Sequence, residues 1–318
     1  MHALPKVAQV FTGWARLWLV LPVLVAACSS SGADAPAPSN VAATPIDDGG
    51  APIENDGSTP DGGASDGASG PVPSSQGKGG LACTRRDSLG SGREACVVKI
   101  GAVELKVLEP KAGEATKPLR LGIYLHGDGA GAHKSGSALR AMIGWSDANA
   151  GLGVSALAPN GCAWWQTPAH DCAATESDPD DGAANTPALV SALDAVAKAY
   201  DIRLDGIRYY TSSGGSIFLT DQWLPLQGNK YPGVSAIMCG GIATPRKFAW
   251  NTSDAAERGK HRLFFTYGDQ DFLKTDIEAS IAAFEGSKFA VTTKVIPGAE
   301  HCVFDAHGEA VGIWSANP

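Results

Sequence analysis

The 318-residue chain has no apolar run long enough to cross a bilayer, no Cys-x-x-Cys pair, no tight Cys/His cluster and no excess of basic residues. Each shortage excludes a class of protein. A membrane-spanning helix needs about 20 consecutive apolar residues, and the run at residues 17–27 is too short. Structural zinc sites need clustered thiolate and imidazole ligands, so the cysteines must serve another purpose. A net charge of −8 at pH 7 argues against a nucleic-acid surface, which calls for a basic face. No metal or organic cofactor is implied.

What is present begins with a leader. Lys6 and Arg16 precede the apolar run, and the run ends in small residues, the pattern of a secretory signal peptide. Leu24-Val25-Ala26-Ala27-Cys28 is similar to a bacterial lipobox, with Val25 where leucine is more usual. The expectation is cleavage after residue 27 and a lipid anchor on Cys28, placing the protein at the cell envelope. The alternative is plain cleavage and secretion. Residues 28–80 are Ser, Gly, Ala, Pro and Asp with scarcely any large apolar side chain, and carry Asp34, Asp47, Asp48, Glu54, Asp56, Asp61 and Asp66 against Lys78 alone. Such a segment buries too little surface to offset its ordering entropy and reads as a disordered, solvated tether. Residues 81–318 remain as one sizeable domain of only mildly acidic balance. Their six cysteines, Cys83, Cys96, Cys162, Cys172, Cys239 and Cys302, are an even number in an exported chain and read as disulfides. Fifteen pairings are possible; proximity favours 83 with 96 and 162 with 172, which leaves 239 with 302.

Along the domain, residues 97–108 alternate and break at Gly101, as an antiparallel hairpin does. Short apolar runs at 119–125, 154–158, 207–211, 234–238, 262–267 and 291–296 read as strands. Between them lie helical stripes: Ala138, Leu139, Met142 and Trp145; Leu189, Leu193, Val196, Ala197 and Tyr200, with Thr186 as N-cap and Pro187 at the first position; and Ile277, Ile281, Ala282 and Phe284. Strands alternating with helices predict an α/β fold, a mainly parallel twisted sheet with helices on both faces. Reactive groups in such sheets gather at the carboxyl ends of the strands.

The motifs sit at those ends. Ile207-Arg208-Tyr209-Tyr210-Thr211-Ser212-Ser213-Gly214-Gly215-Ser216 runs from a strand into a helix-compatible segment, the shape of a nucleophile elbow. Ser213 is the expected nucleophile, in T-x-S-x-G rather than G-x-S-x-G; Ser212 is the neighbouring alternative. Gly268-Asp269-Gln270-Asp271 follows a strand and offers Asp271 as the orienting acid, with Asp269 as fallback. Gly298-Ala299-Glu300-His301 offers His301 as the base, His307 being the competitor in an expected helix. His126-Gly127-Asp128-Gly129 follows another strand, so the backbone N–H of Gly127 or Asp128, with that of Gly214, would form an oxyanion hole. Asp128 is out of place there, since a carboxylate opposes a developing oxyanion, and is expected to point outward. Trp164 and Trp165 are expected to wall the substrate cleft, with Asp180 and Asp181 at its rim. Residues 240–260 are read as a lid or cleft wall.

The order serine, acid, histidine is that of α/β-hydrolases. The set Tyr124-Leu125-His126-Gly127, Ala158-Pro159-Asn160-Gly161 with tryptophan after it, Tyr209 to Gly215, and Gly298 to His301 resembles secreted α/β-hydrolase esterases of the polyhydroxybutyrate depolymerase, feruloyl esterase and acetylxylan esterase group. That resemblance implies an α/β-hydrolase fold, an acyl-enzyme mechanism, and an ester substrate such as an acylated polysaccharide or a polyester fragment. Some feruloyl esterases and tannases also join a cysteine before the nucleophile to one after the histidine. Here Ser212 stands at the first position, so the resemblance implies Cys239 as the substitute partner of Cys302. The competing readings are a serine peptidase of the same fold and a lipid-anchored binding protein whose chemistry is lost.

Overall fold

The computed structural model describes residues 74–111, 118–167 and 182–318. The leader, Cys28, most of the tether, Cys172, Asp180 and Asp181 lie outside the described residues. Nine strands form one sheet: β1 (Arg85–Gly90), β2 (Arg93–Ile100), β3 (Val103–Leu108), β4 (Arg120–Leu125), β5 (Gly151–Leu157), β6 (Ile207–Ser212), β7 (Gly233–Met238), β8 (Arg262–Gly268) and β9 (Ala290–Ile296). Their spatial order is β1-β2-β3-β5-β4-β6-β7-β8-β9. The first three strands are antiparallel and β3 runs antiparallel to β5. From β5 through β4, β6, β7 and β8 to β9 every pairing is parallel.

The central strands are buried on both faces, which is why their sequences are near-continuous apolar runs rather than alternating ones. All six residues of β7 are buried, as are five of six in β4 and in β6. The pleat sends neighbours to opposite sides. Tyr209, Ile123, Ile237 and Phe265 pack under Leu189, Leu193 and Val196 of α3 (Asn185–Ala199) and Phe284 of α7 (Lys274–Gly286). Tyr210, Tyr124, Ala236 and Met238 pack under Trp145 of α2 (Ser137–Asn149) and Trp314 of α8 (Ala306–Ala316). The remaining helices are α1 (Gly131–Ser135), α4 (Gly214–Phe218), α5 (Leu224–Gln227) and α6 (Ala255–Gly259).

Four details differ from expectation. The edge strand β1 is mostly exposed and polar, so it carries no alternating signal. Helix α3 begins at Asn185, two residues early, with no side-chain cap: the Asn185 amide instead donates to the carbonyls of Trp164 and Gln166. Ala282 lies on the exposed side of α7, outside the buried stripe of Ile277, Ile281 and Phe284. Residues 74–80 do not behave as tether. Ser75 N–H donates to Ile202 O, its hydroxyl to Tyr200 O, and Gly80 N–H to Ala199 O. Main-chain bonds of this kind need no apolar side chain, so composition does not reveal them.

Cys83 pairs with Cys96 and Cys239 with Cys302, with Cα separations of 5.2 and 5.3 Å. The pairing of Cys162 with Cys172 lies outside the described residues.

Candidate active site

The strand order reverses around β4, with β5 on one side and β6 on the other. Connections leaving neighbouring strands in opposite senses open a crevice at their carboxyl ends. The segments after β4, β6, β7 and β8 all emerge there.

Ser213 occupies the one-residue turn between β6 and α4, at φ 48° and ψ −120°. A non-glycine residue held at positive φ is strained and persists only where its surroundings enforce it. Here the Ser213 N–H is bound to Met238 O of β7, and its carbonyl accepts from Ser216 and Ile217 N–H. The turn is tight enough to demand glycine next to it: a Cβ on Gly215 would lie 2.2 Å from Leu125 O, and one on Gly214 2.1 Å from Asp128 Oδ1. Thr211 fills the position where this turn usually has glycine. Its buried hydroxyl lies 2.9 Å from Ser216 Oγ, which donates to Met238 O. A hydroxyl pair from either side of the turn thus satisfies the extra polar atom that threonine brings.

Ser213 Oγ lies 2.9 Å from His301 Nε2, and His301 Nδ1 lies 2.8 Å from Asp271 Oδ1. Asp271 is buried, and its Oδ1 also accepts the Leu273 N–H at 2.8 Å. The neighbouring alternatives are engaged elsewhere. Ser212 Oγ is 3.0 Å from Tyr124 Oη. Asp269 accepts from Gly298 N–H at 2.7 Å and thereby holds the turn that leads to His301. His307 bridges Tyr210 Oη and Ser137 Oγ in α8; burial lowers its basicity.

Facing Ser213 is the segment after β4. His126 is fully buried. Its Nδ1–H donates to Gly127 O, and its Nε2 accepts the Ala158 N–H at 2.9 Å. Burial drives its pKa down to about 3, which matches the neutral tautomer those two bonds require. The ring thus ties the Gly127 segment to the end of β5. A Cβ on Gly127 would be 3.1 Å from Ser213 Cβ, so this backbone passes directly over the turn. Gly214 is the first residue of α4, and the first amides of a helix lack intrahelical acceptors.

Asp128 is exposed, as expected of a side chain that points outward; its carboxylate lies beside Gly214 and accepts the Trp165 indole N–H at 3.0 and 3.1 Å. The indole N–H is a donor with no acceptor lone pair to oppose the carboxylate, so the pair is neutral–anionic and bonded. One expectation needs correction: Trp164 is not at the cleft. It is fully buried, with ring centroids 5.3 Å from Phe218 and 5.9 Å from His126, because its alternate neighbour Trp165 takes the outward side of the same short loop. Trp165 stays half-exposed beside Gly214.

Other contributors were not foreseen. Phe272 is 71% exposed with its ring 4.3 Å from His301, and Val303 is also exposed. An aromatic immediately after the acid and a valine two residues after the histidine were the available signals. The Cys239–Cys302 bond ties the residue after His301 to the end of β7. The segment 240–260 is less a lid than part of the body: Phe248 and Trp250 pack against the core, and the Trp250 indole donates to Leu224 O.

No family model and no curated protein matches the chain. Solved structures do. A carboxylesterase from Mesorhizobium loti is 17% identical with a TM-score of 0.50, over 70% of this chain and 99% of that one. A thermostable esterase is 14% identical, TM-score 0.48, over 70% of this chain and only 60% of its own. A ferulic acid esterase is 13% identical, TM-score 0.46, over 70% and 94%. At such identities likeness speaks for fold and not for substrate. Together with the strand order and the turn at Ser213, the match to the Mesorhizobium carboxylesterase identifies the architecture: this chain has the α/β-hydrolase fold.

Proposed function

We propose that the protein is a serine hydrolase of carboxylic esters. The observation that carries the reading is the hydrogen-bonded line Ser213–His301–Asp271, set on a strained strand-to-helix turn. The carboxylesterase of like fold is in keeping with it. In the proposed reaction His301 Nε2 takes the Ser213 proton as Oγ attacks the ester carbonyl. Asp271 holds the ring with Nδ1–H inward and balances the imidazolium charge without taking its proton. The backbone N–H of Gly127 or Asp128 and that of Gly214 steady the oxyanion; one such donor is worth ~10²–10³ in rate. His301 then protonates the leaving alkoxide, the alcohol departs, and water activated by His301 releases the acid and restores Ser213.

The proposed setting is the cell envelope, through a lipid on Cys28. The leader pattern supports it, and so do the two disulfides, which persist in oxidising compartments. The proposed substrates are acylated polysaccharides or polyester fragments, with Trp165, Phe272 and Val303 as the apolar edge against which an acyl or alcohol group would rest. The test is hydrolysis of p-nitrophenyl esters of rising acyl length and of methyl ferulate. Turnover by the wild type that drops on the order of 10⁶-fold in Ser213→Ala is the expected result; an unchanged rate in that variant would overturn the assignment.

A further inference from the structure

The other end of the parallel strands carries a feature that ester hydrolysis does not use. We propose that the cleft at their amino-terminal edge, lined by Arg120, Arg203, Arg208, Lys260 and Arg262, binds a phosphate-type oxyanion. The cleft encloses about 580 Å³; among the described residues Asp205 is the one acidic side chain lining it, and Pro318 lines it too.

Register shows why the arginines converge. Arg208 and Arg262 are both paired with Val234 of the intervening strand, and Arg208 is also paired with Gly122, two residues after Arg120. In a parallel sheet paired residues share a face, as do residues two apart. Arg120, Arg208 and Arg262 therefore project from one face, at the first or second residue of three strands. Strands lie ~4.8 Å apart, so Arg208 and Arg262 start only ~10 Å from each other.

Among the described residues, no carboxylate side chain forms an ion pair with Arg120, Arg208 or Arg262. Asp205 is engaged with Arg203 at 3.1 Å, and Lys260 with Glu257 at 2.7 Å. Arg262 donates to the neutral Asn317 side chain. The Arg120 guanidinium makes no hydrogen bond or ion pair with the described residues. Arg208, only 5% exposed, donates to the carbonyls of Gly206 and Asn317, and its Nε–H finds no acceptor among the described residues. Burial, and then the proximity of Arg120, Arg262 and Arg203, brings its pKa down to about 10. Burial also lowers that of Arg120, with Arg203 adding to the effect. Three like charges held together with a buried donor unmet is a costly arrangement without a ligand. A tetrahedral dianion supplies both the counter-charge and the acceptors, in the geometry that guanidinium forks match. The volume exceeds what inorganic phosphate needs, leaving room for the organic part of a phosphate monoester. Arg208 precedes Ser213 by five residues of extended strand, ~17 Å, so the two sites are separate.

The test is titration calorimetry of the full chain with inorganic phosphate and with glycerol phosphate, at fixed ionic strength in chloride. Alongside it runs co-sedimentation with vesicles of phosphatidylcholine alone or with phosphatidic acid. Arg120→Gln, which removes no side-chain hydrogen bond or ion pair with the described residues, and Arg262→Gln are compared with wild type. Saturable binding of the soluble phosphates, weakened about tenfold or more in each variant, supports a soluble ligand. Binding seen only as extra retention on phosphatidic acid vesicles, and lost in the variants, supports a lipid headgroup. No saturable binding in either arm, or binding that both variants leave unchanged, overturns the proposal.

Discussion

At the scale of single residues, what distinguishes this site is how it accommodates polar atoms that should be costly. Thr211 brings a buried hydroxyl into a turn built for glycine, and Ser216 answers it. Thr211→Val keeps the shape and leaves Ser216 one partner short, so it should cost about 1–2 kcal/mol, read as a lower urea midpoint at unchanged slope. Ser216 marks the compensation in the sequence, but only once the turn brings residues 211 and 216 together. Two histidines are similarly constrained. Burial holds His126 near pKa 3 and His261, packed between Trp250 and Phe289, near 4. The unfolded chain takes up these protons below about pH 6.5 while the folded protein refuses them. Stability is therefore complete above about pH 6.5 and is lost as pH falls toward 4, at about 1.4 kcal/mol per pH unit for each histidine. Denaturant unfolding at several pH values should show this slope, and His261→Phe should reduce it; an unaltered slope would mean that His261 does not titrate as described.

At the scale of elements, the strand–turn–helix around Ser213 is the least forgiving part of the chain. Gly215→Ala places a Cβ 2.2 Å from Leu125 O and should destabilise by several kcal/mol or misplace the serine. Gly131→Ala, which meets nothing within 4 Å and lies at φ −55°, should be near neutral. Thermal melts of the pair check the contrast. Downstream, Pro225 lacks the N–H that an α-helix would direct to Asp221, and the chain widens into a π-helical turn at Leu219–Trp223 before α5. Most elements were legible because buried parallel strands are apolar runs: β4, β6, β7 and β8 fell within a residue or two of expectation. β1 was not legible, because an exposed edge strand has no apolar pattern to display. Ser213, Asp271 and His301 were legible from the elements they follow. The bond from Trp165 to Asp128 and the burial of Trp164 were not, since both depend on which side of a loop faces the core.

At the scale of the molecule, the sheet places two different groups of side chains at its two ends: the Ser213 line at the carboxyl edge, the arginines at the amino edge. Between β7 and the His301 loop a disulfide closes a span of 63 residues. Chain-entropy arguments assign such a closure about 4 kcal/mol. Replacing both Cys239 and Cys302 by serine should lower the melting temperature. If the bond also steadies His301, turnover should fall by more than the loss of folded protein accounts for, as active-site titration against the folded fraction will measure. The proposed hydrolysis depends most heavily on one atom, Ser213 Oγ. Reaction of the full chain with a fluorophosphonate, followed by mass mapping of the adduct, tests it directly. The predicted result is a single adduct on Ser213, absent in Ser213→Ala and retained in Ser212→Ala. An adduct on Ser212, or none on a folded, oxidised protein, would contradict it.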